Sequence, residues 1–284
     1  MYAIIYYMKS VHFLNGQFVT EDHLLISPRD LGYSRGYAGF EFMITSGGQP
    51  FMMERHIDRL FNSCHTISLS LPWSKQQIAN WIQETVDANE LRDEDMVMRI
   101  IISGGSSGTL TLAKTPTIVI VVEARMPCPP EDYANGVRIL LTEFDRYEPQ
   151  AKTTNYVHAV RVMKTAAHDV DEIIYFSNNM VREGTRCNIF ALINGILTTP
   201  KTGILGGITR GVILNDLKLS IQAEARDFTV EELLTAAEIF ITATGKEVMP
   251  VTKINDKLVA DGTVGEVTKE VMTKFKNFFE SYGR

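Results

Sequence analysis

Apolar and polar positions along the chain alternate with two different periods, and the changes of period mark its elements. VHFLNG and QFVTEDHLLI at 11–26 alternate in part about Asn15-Gly16, which predicts a hairpin. FEFMITSGGQPFMM predicts two strands about a Gly47-Gly48 turn. In HIDRLFNSCHTI at 56–67, Ile57, Leu60, Phe61, Cys64 and Ile67 fall on one helical face. Ser74 is placed to cap a second helix, KQQIANWIQETVDANEL, ending before Arg92. MVMRIIIS at 96–103 and TIVIVVEA at 117–124 are β-rich runs.

The pattern then breaks. MPCPPEDYANG at 126–136 carries three prolines and reads as a connection. Beyond it come a strand (VRILLTEF), a helix over about 154–168, and two strand pairs, EIIYFSNNMVREG and CNIFALINGILTTP. A helix follows GGITR, then EELLTAAEIFITAT, VTKINDKLVADG and a last helix from Val264 to Tyr282. This order predicts a small α+β domain over 1–124, a linker over 125–133 and a larger domain over 134–284, with no internal repeat.

Composition narrows the class without choosing a function. The 284 residues are 45% hydrophobic and 22% charged, the balance of an ordinary globular chain. A net charge of −6 speaks against nucleic acid or an anionic membrane as partner. No apolar run reaches the roughly 20 residues that span a bilayer. The start, MYAIIYYMKSVHF, lacks a basic region and a small-residue cleavage site, so it reads as the lead-in to the first strand. Cys64, Cys128 and Cys187 are odd in number and widely spaced, which points to a reduced, cytoplasmic setting. No pair of the six histidines has metal spacing, and His56 and His65 read as helix-face residues.

Four segments of the second half carry candidate chemistry. AKTTNY at 151–156 places Lys152 between a strand and a helix, where a desolvated amine can form an imine. MVREGTRCNIF at 180–190 sets Glu183 where two β-runs meet. GILGGITRGVIL at 203–214 opens a helix with glycines and a Thr209 hydroxyl, an arrangement suited to an anion. FITATGKEVMPV at 240–251 ends a strand with Thr242, Thr244 and Gly245. Singly, each has a plainer reading: a solvated lysine, a turn carboxylate, a glycine turn, a strand end.

Together their order and spacing resemble the class IV aminotransferases, the fold type IV pyridoxal-phosphate (PLP) enzymes. The resemblance runs over Lys152 and Asn155, then Val181-Arg182-Glu183-Gly184 through Asn188 and Phe190, Thr199-Pro200, and Ile204 to Arg210. HIDRL in the first half matches too. The resemblance implies a two-domain α+β (α/β mixed) fold, a small α+β domain beside a larger β-barrel-like one with flanking helices. It implies pyridoxal 5′-phosphate as cofactor, with Lys152 as Schiff-base lysine and general acid/base and Glu183 as partner of the pyridine nitrogen. Arg59, Ile208, Thr209 and Thr244 then form the phosphate cup. Tyr156 resembles a tyrosine near the phenolic oxygen, at a spacing one residue shorter. The family's site lies between domains and borrows from a second subunit, so a homodimer is implied, with an amino acid and a keto acid as substrates.

The substrate hand is a separate matter. D-alanine-type relatives carry an arginine after the strand equivalent to 96–103, where this chain has Ser103-Gly104-Gly105. Phe40 stands where those enzymes have a carboxylate-binding tyrosine. Arg35, in a place where relatives carry an aromatic residue, and Arg99, inside an apolar run that should not be buried without an anion, offer a substitute clamp for the α-carboxylate. The plainer reading is a structural ion pair for Arg99 and a solvated Arg35. The clamp leans toward D-amino acids. A branched-chain L-amino-acid enzyme is the alternative, supported by KTTNY; aminodeoxychorismate lyase is third, and a PLP-binding protein without turnover is the reading from another class.

Overall fold

A computed structural model describes residues 10–89, 95–111, 113–166 and 169–283. The lead-in at 1–9, the end of the second helix near Arg92 and the end of the helix at 168 lie outside the described residues. The chain divides into two compact units, one of Met1–Met126, Ala151–Asn155 and Phe279–Arg284, the other of Pro127–Gln150 and Tyr156–Phe278. Among the described residues no helix is long and apolar enough to cross a membrane.

In the first unit β1 (Val11–Leu14), β2 (Gln17–Thr20), β3 (Ala38–Ser46), β4 (Gln49–Pro50), β5 (Met96–Ser103) and β6 (Thr117–Ala124) form one antiparallel sheet, ordered β2-β1-β6-β5-β3-β4. A short helix, α1 (Leu31–Arg35), precedes β3; α2 (Met53–Thr66) and α3 (Lys75–Asp87) follow β4. Helix α2 buries His56, Ile57, Leu60, Ser63 and Cys64, the three-and-four spacing of one face. That face packs with Met43, Met98, Ile100 and Ile120 of the sheet. Ser74 caps α3 as expected, its hydroxyl accepting from the Gln77 amide at 3.1 Å.

The Pro-rich connection contains α4 (Pro130–Asn135). The second unit then runs β7 (Val137–Glu143), α5 (Val157–Thr165), β8 (Glu172–Ser177), β9 (Met180–Gly184), β10 (Asn188–Ile193), β11 (Ile196–Thr199), α6 (Ile208–Asn215) and β12 (Ala223–Ala225). After these come α7 (Val230–Leu234), β13 (Ile239–Ala243), β14 (Glu247–Ile254), β15 (Lys257–Leu258) and α8 (Glu266–Tyr282). Their nine-stranded mixed sheet has the order β12-β11-β10-β13-β14-β7-β8-β9, with β15 on β14. Ile139, Ile174, Val181, Ile189, Ile241 and Phe228 build its main core.

Register places the chemistry. Between the pairs Ile174↔Gly184 and Phe176↔Val181 the ladder of β8 and β9 shifts, so Arg182 and Glu183 together oppose Tyr175. Such a bulge re-aims side chains, and it lies at the glutamate of the V-R-E-G segment. In β13, Ile239 and Ile241 enter the core while Phe240 and Thr242 face the other way, Phe240 stacking on Phe190 with ring centroids 4.9 Å apart.

Candidate active site

Lys152 is fixed by backbone bonds within the first unit. The segment 152–154 pairs with the start of β3: Phe40 N–H donates to the Lys152 carbonyl (2.9 Å) and Thr154 N–H to Ala38 (3.1 Å). The Lys152 amide donates to Ser63 Oγ of α2 at 3.0 Å. Gly39 stands opposite Thr153, and a Cβ there would come 3.0 Å from Cys64 Sγ. With its backbone so held, Lys152 lays Nζ 4.3 Å from the centre of the Phe40 ring.

Arg59 and His56 sit three residues apart on α2, so both reach one carboxylate, Glu41 of β3. Arg59 Nε and Nη2 donate to Oε1 and Oε2 at 2.7 Å each, and His56 Nδ1 meets Oε2 at 2.7 Å. Burial opposes the charge on Glu41, but the Arg59 guanidinium and the two side-chain bonds outweigh it and hold the carboxyl at about 2. Burial pushes the His56 imidazole below its usual value against the pull of Glu41. His56 is therefore a helix-face residue of the buried face, bonded inside the core. Its spacing from Arg59 was the signal available in the sequence; Glu41 carried none of its own.

Arg99, expected to need an anion inside its apolar run, has one in Glu123. Strand alternation puts it beside Phe42, on the face of β3–β5 that also carries Phe40 and Ile101, with 45% of its side chain exposed. Its Nη1 lies 2.5 Å from Glu123 Oε2 and its guanidinium carbon 5.9 Å from the centre of the Phe42 ring. Burial raises the pKa of Glu123. Arg35 is exposed in the last turn of α1, donating to the Ser34 carbonyl at 2.8 Å. The two arginines are thus held by different partners.

In the second unit Glu183 is buried and receives several donors. Oε1 pairs with Arg146 Nη1, while Oε2 accepts from the Leu205 amide at 3.0 Å and Asn188 Nδ2 at 3.5 Å. Asn188 also donates to the Leu205 carbonyl at 2.9 Å, joining β10 to the loop before α6. Gly207 must be glycine: a Cβ would lie 1.9 Å from Asn188 Oδ1. Ile208 and buried Thr209 occupy the first turn of α6, where helix amides have no carbonyl of their own helix to bond. Arg210 ties the same turn to Thr199 Oγ1 (3.1 Å) and the Pro200 carbonyl (2.8 Å). Thr244 lies in the turn from β13 to β14, and Thr242 Oγ1 is buried without a hydrogen-bond partner.

Tyr156 precedes α5. Burial raises its pKa, and Arg146 and Glu183 act on it from nearby with opposite signs. Sequence reasoning missed Arg146: it lies in a loop with no period to read.

These donors suit a planar ring with a basic nitrogen and an anionic group. Glu183 offers a carboxylate to the nitrogen, and the α6 turn and the orphaned Thr242 hydroxyl offer hydrogen bonds to oxygens. Among the described residues no group of three or more acidic, histidine or cysteine side chains is placed to hold a metal ion.

Comparison with known proteins gives the same class. Residues 38–254 match the family model described as amino-transferase class IV. A putative branched-chain-amino-acid aminotransferase of Methanocaldococcus jannaschii is 33% identical, covering 95% of this chain and 97% of that protein. A D-alanine aminotransferase of Staphylococcus epidermidis is 29% identical, over 95% and 98%. Among solved structures, the Escherichia coli branched-chain amino acid aminotransferase superposes with a TM-score of 0.87 at 24% identity, over 96% of this chain and 95% of that one. The chain belongs to the class IV aminotransferases, which are PLP-dependent transaminases acting on amino and keto acids.

Proposed function

We propose that this aminotransferase takes D-amino acids, with Lys152 as its covalent anchor and proton carrier and Arg99 and Arg35 as its α-carboxylate clamp. The observation that carries the reading is the shared face of β3–β5. Phe40, whose ring receives Lys152 Nζ, and Arg99 both belong to it. The guanidinium there is half open to solvent and pairs with a carboxylate whose ionisation burial disfavours, so a substrate carboxylate competes well for it.

When bound, pyridoxal phosphate supplies the electron sink for charge at the substrate α-carbon. Glu183, backed by Arg146, Asn188 and the Leu205 amide, would hold the ring nitrogen. Within the second unit Thr209 and Ile208 at the α6 turn and Thr244 would hold the phosphate and Tyr156 the phenolic oxygen, and the family resemblance adds Arg59 to the phosphate's ligands. Lys152 Nζ, once free, would be the base that takes the substrate α-proton and the acid that delivers a proton to the cofactor carbon on the other side of the amino nitrogen. Phe40 lines the lysine and offers no hydroxyl to the substrate. The homodimer implied by the family resemblance and the cytoplasmic setting read from the cysteines belong to the same proposal; light scattering of the purified chain tests its dimeric part.

A second reading, an L-branched-chain donor, is favoured by the 33% identity to the M. jannaschii protein named for that activity. Mixing holoenzyme separately with D- and L-alanine, glutamate and leucine separates the two. Loss of the visible cofactor band with D-forms alone is expected. Loss with L-leucine and L-glutamate alone establishes the second reading, and no loss with either hand brings forward a lyase or non-turnover protein. Lys152→Ala is expected to abolish the reaction and the covalent label left by borohydride reduction.

A further inference from the structure

Behind Glu183 lies a second buried glutamate that the proposed chemistry does not use. Glu172, at the head of β8, has 0% of its side chain exposed. Its Oε1 accepts from Thr185 Oγ1 and from the Ile173 amide at 3.1 Å. Its Oε2 lies 3.5 Å from Lys246 Nζ and 3.7 Å from Arg186 Nε. Lys246 Nζ also donates to the Asp171 carbonyl at 3.3 Å.

The partners, rather than the charge itself, suggest what the cluster does. Thr185 and Arg186 follow Glu183-Gly184 directly and begin the turn into β10, which is closed by Gly184 N–H to the Cys187 carbonyl (2.7 Å) and Thr185 N–H to the Ile173 carbonyl (3.0 Å). Lys246 lies two residues beyond Thr244, in the turn from β13 to β14. One buried carboxylate therefore grips both the segment bearing the ring-nitrogen partner and the segment bearing a phosphate-cup threonine. As a source of stability the arrangement is poor. Both ion pairs are longer than a good charge-assisted hydrogen bond, and a buried ion pair is in general weak evidence for stability.

We infer that Glu172 is a positioning residue: through Thr185 and Lys246 it sets the distance between the Glu183 turn and the Thr244 turn, and so the fit of both ends of the cofactor. The inference rests on the assignment of Glu183 and Thr244 made above. Replacing Glu172 by glutamine keeps its size and loosens both grips. Thr185→Val loosens only the Glu183 side, and Lys246→Met only the Thr244 side.

The test compares wild type, Glu172→Gln, Thr185→Val, Lys246→Met and the remote surface variant Glu270→Gln. Readouts are the pyridoxal-phosphate dissociation constant, the visible band and ³¹P shift of the holoenzyme, and the melting temperature of the apoprotein. Glu172→Gln is expected to weaken cofactor binding about tenfold and to move both band and ³¹P shift. Thr185→Val is expected to move mainly the band, Lys246→Met mainly the ³¹P shift, and Glu270→Gln neither. A structural role alone lowers the apoprotein melting temperature and leaves affinity, band and ³¹P shift at wild-type values, which overturns the inference. If Glu172→Gln does not fold, the two partner variants decide: wild-type spectra and affinity in both overturn it. A wild-type chain that borohydride does not label at Lys152 overturns the underlying site reading as well, whereas a labelled wild type with unresponsive variants overturns the Glu172 inference alone.

Discussion

The two faces of the six-stranded sheet each carry an arginine–glutamate pair, and the pairs differ in almost every physical respect. On the helix-packed face Glu41 is 1% exposed and Arg59 12%; the carboxylate is gripped through both oxygens and bonded by His56 besides. On the other face Arg99 is 45% exposed and Glu123 14%, and Arg99 leans on an aromatic ring. The first pair is enclosed by protein on most sides. In the second the arginine remains reachable from solvent, which is what the proposed exchange of its partner requires. Charge type alone does not set how a pair behaves; what distinguishes these pairs is how much water and how many fixed donors surround each.

The largest expected effect breaks the closed pair. Arg59→Met leaves Glu41 buried without its guanidinium and should cost about 3–5 kcal/mol in urea unfolding of the apoprotein. Arg99→Met should cost about 1 kcal/mol or less, because an exposed pair is screened by water. Equal losses would remove the distinction.

Acid sharpens the contrast, since the two glutamates shift in opposite directions. Glu41, held at about 2, stabilises the fold fully above the unfolded carboxyl value of about 4.3. That contribution is lost as pH falls toward 2, and Glu41→Gln should flatten apoprotein stability over this window. Glu123 has a raised pKa, so the folded state takes up its proton more readily than the unfolded state does. Its contribution grows as pH falls, and Glu123→Gln should remove that gain. A smaller effect serves as calibration away from either pair: Ser74→Ala removes the cap of α3 and should cost about 1 kcal/mol by the same urea assay.

Periodicity made the strands at 96–103 and 117–124 legible to the residue, because a central strand declares its length in an unbroken β-rich run. Helix α2 was legible for its apolar face. Arg99 was legible as a charge that needs an anion within an apolar run, and the fold supplies Glu123 for it; which partner it meets was not legible, because Glu123 lies on the neighbouring strand. Motif spacing singled out Lys152, Glu183 and Thr209. The partners Glu41 and Arg146 were not legible, since each meets its partner across a turn or between elements that only the folded chain brings together. Glu172 was hidden for the same reason, within a strand whose other residues read simply as β-rich.

Competition for Arg99 tests the account most directly. The saturation of the half-reaction with D-alanine should be measured in wild type, Arg99→Met and Glu123→Gln holoenzymes. The open-pair account predicts opposite displacements: about tenfold or more weaker saturation without the guanidinium, and tighter saturation once the competing carboxylate is neutral. Saturation unchanged in both variants, with cofactor still bound, would contradict it and leave Arg99–Glu123 as a structural pair.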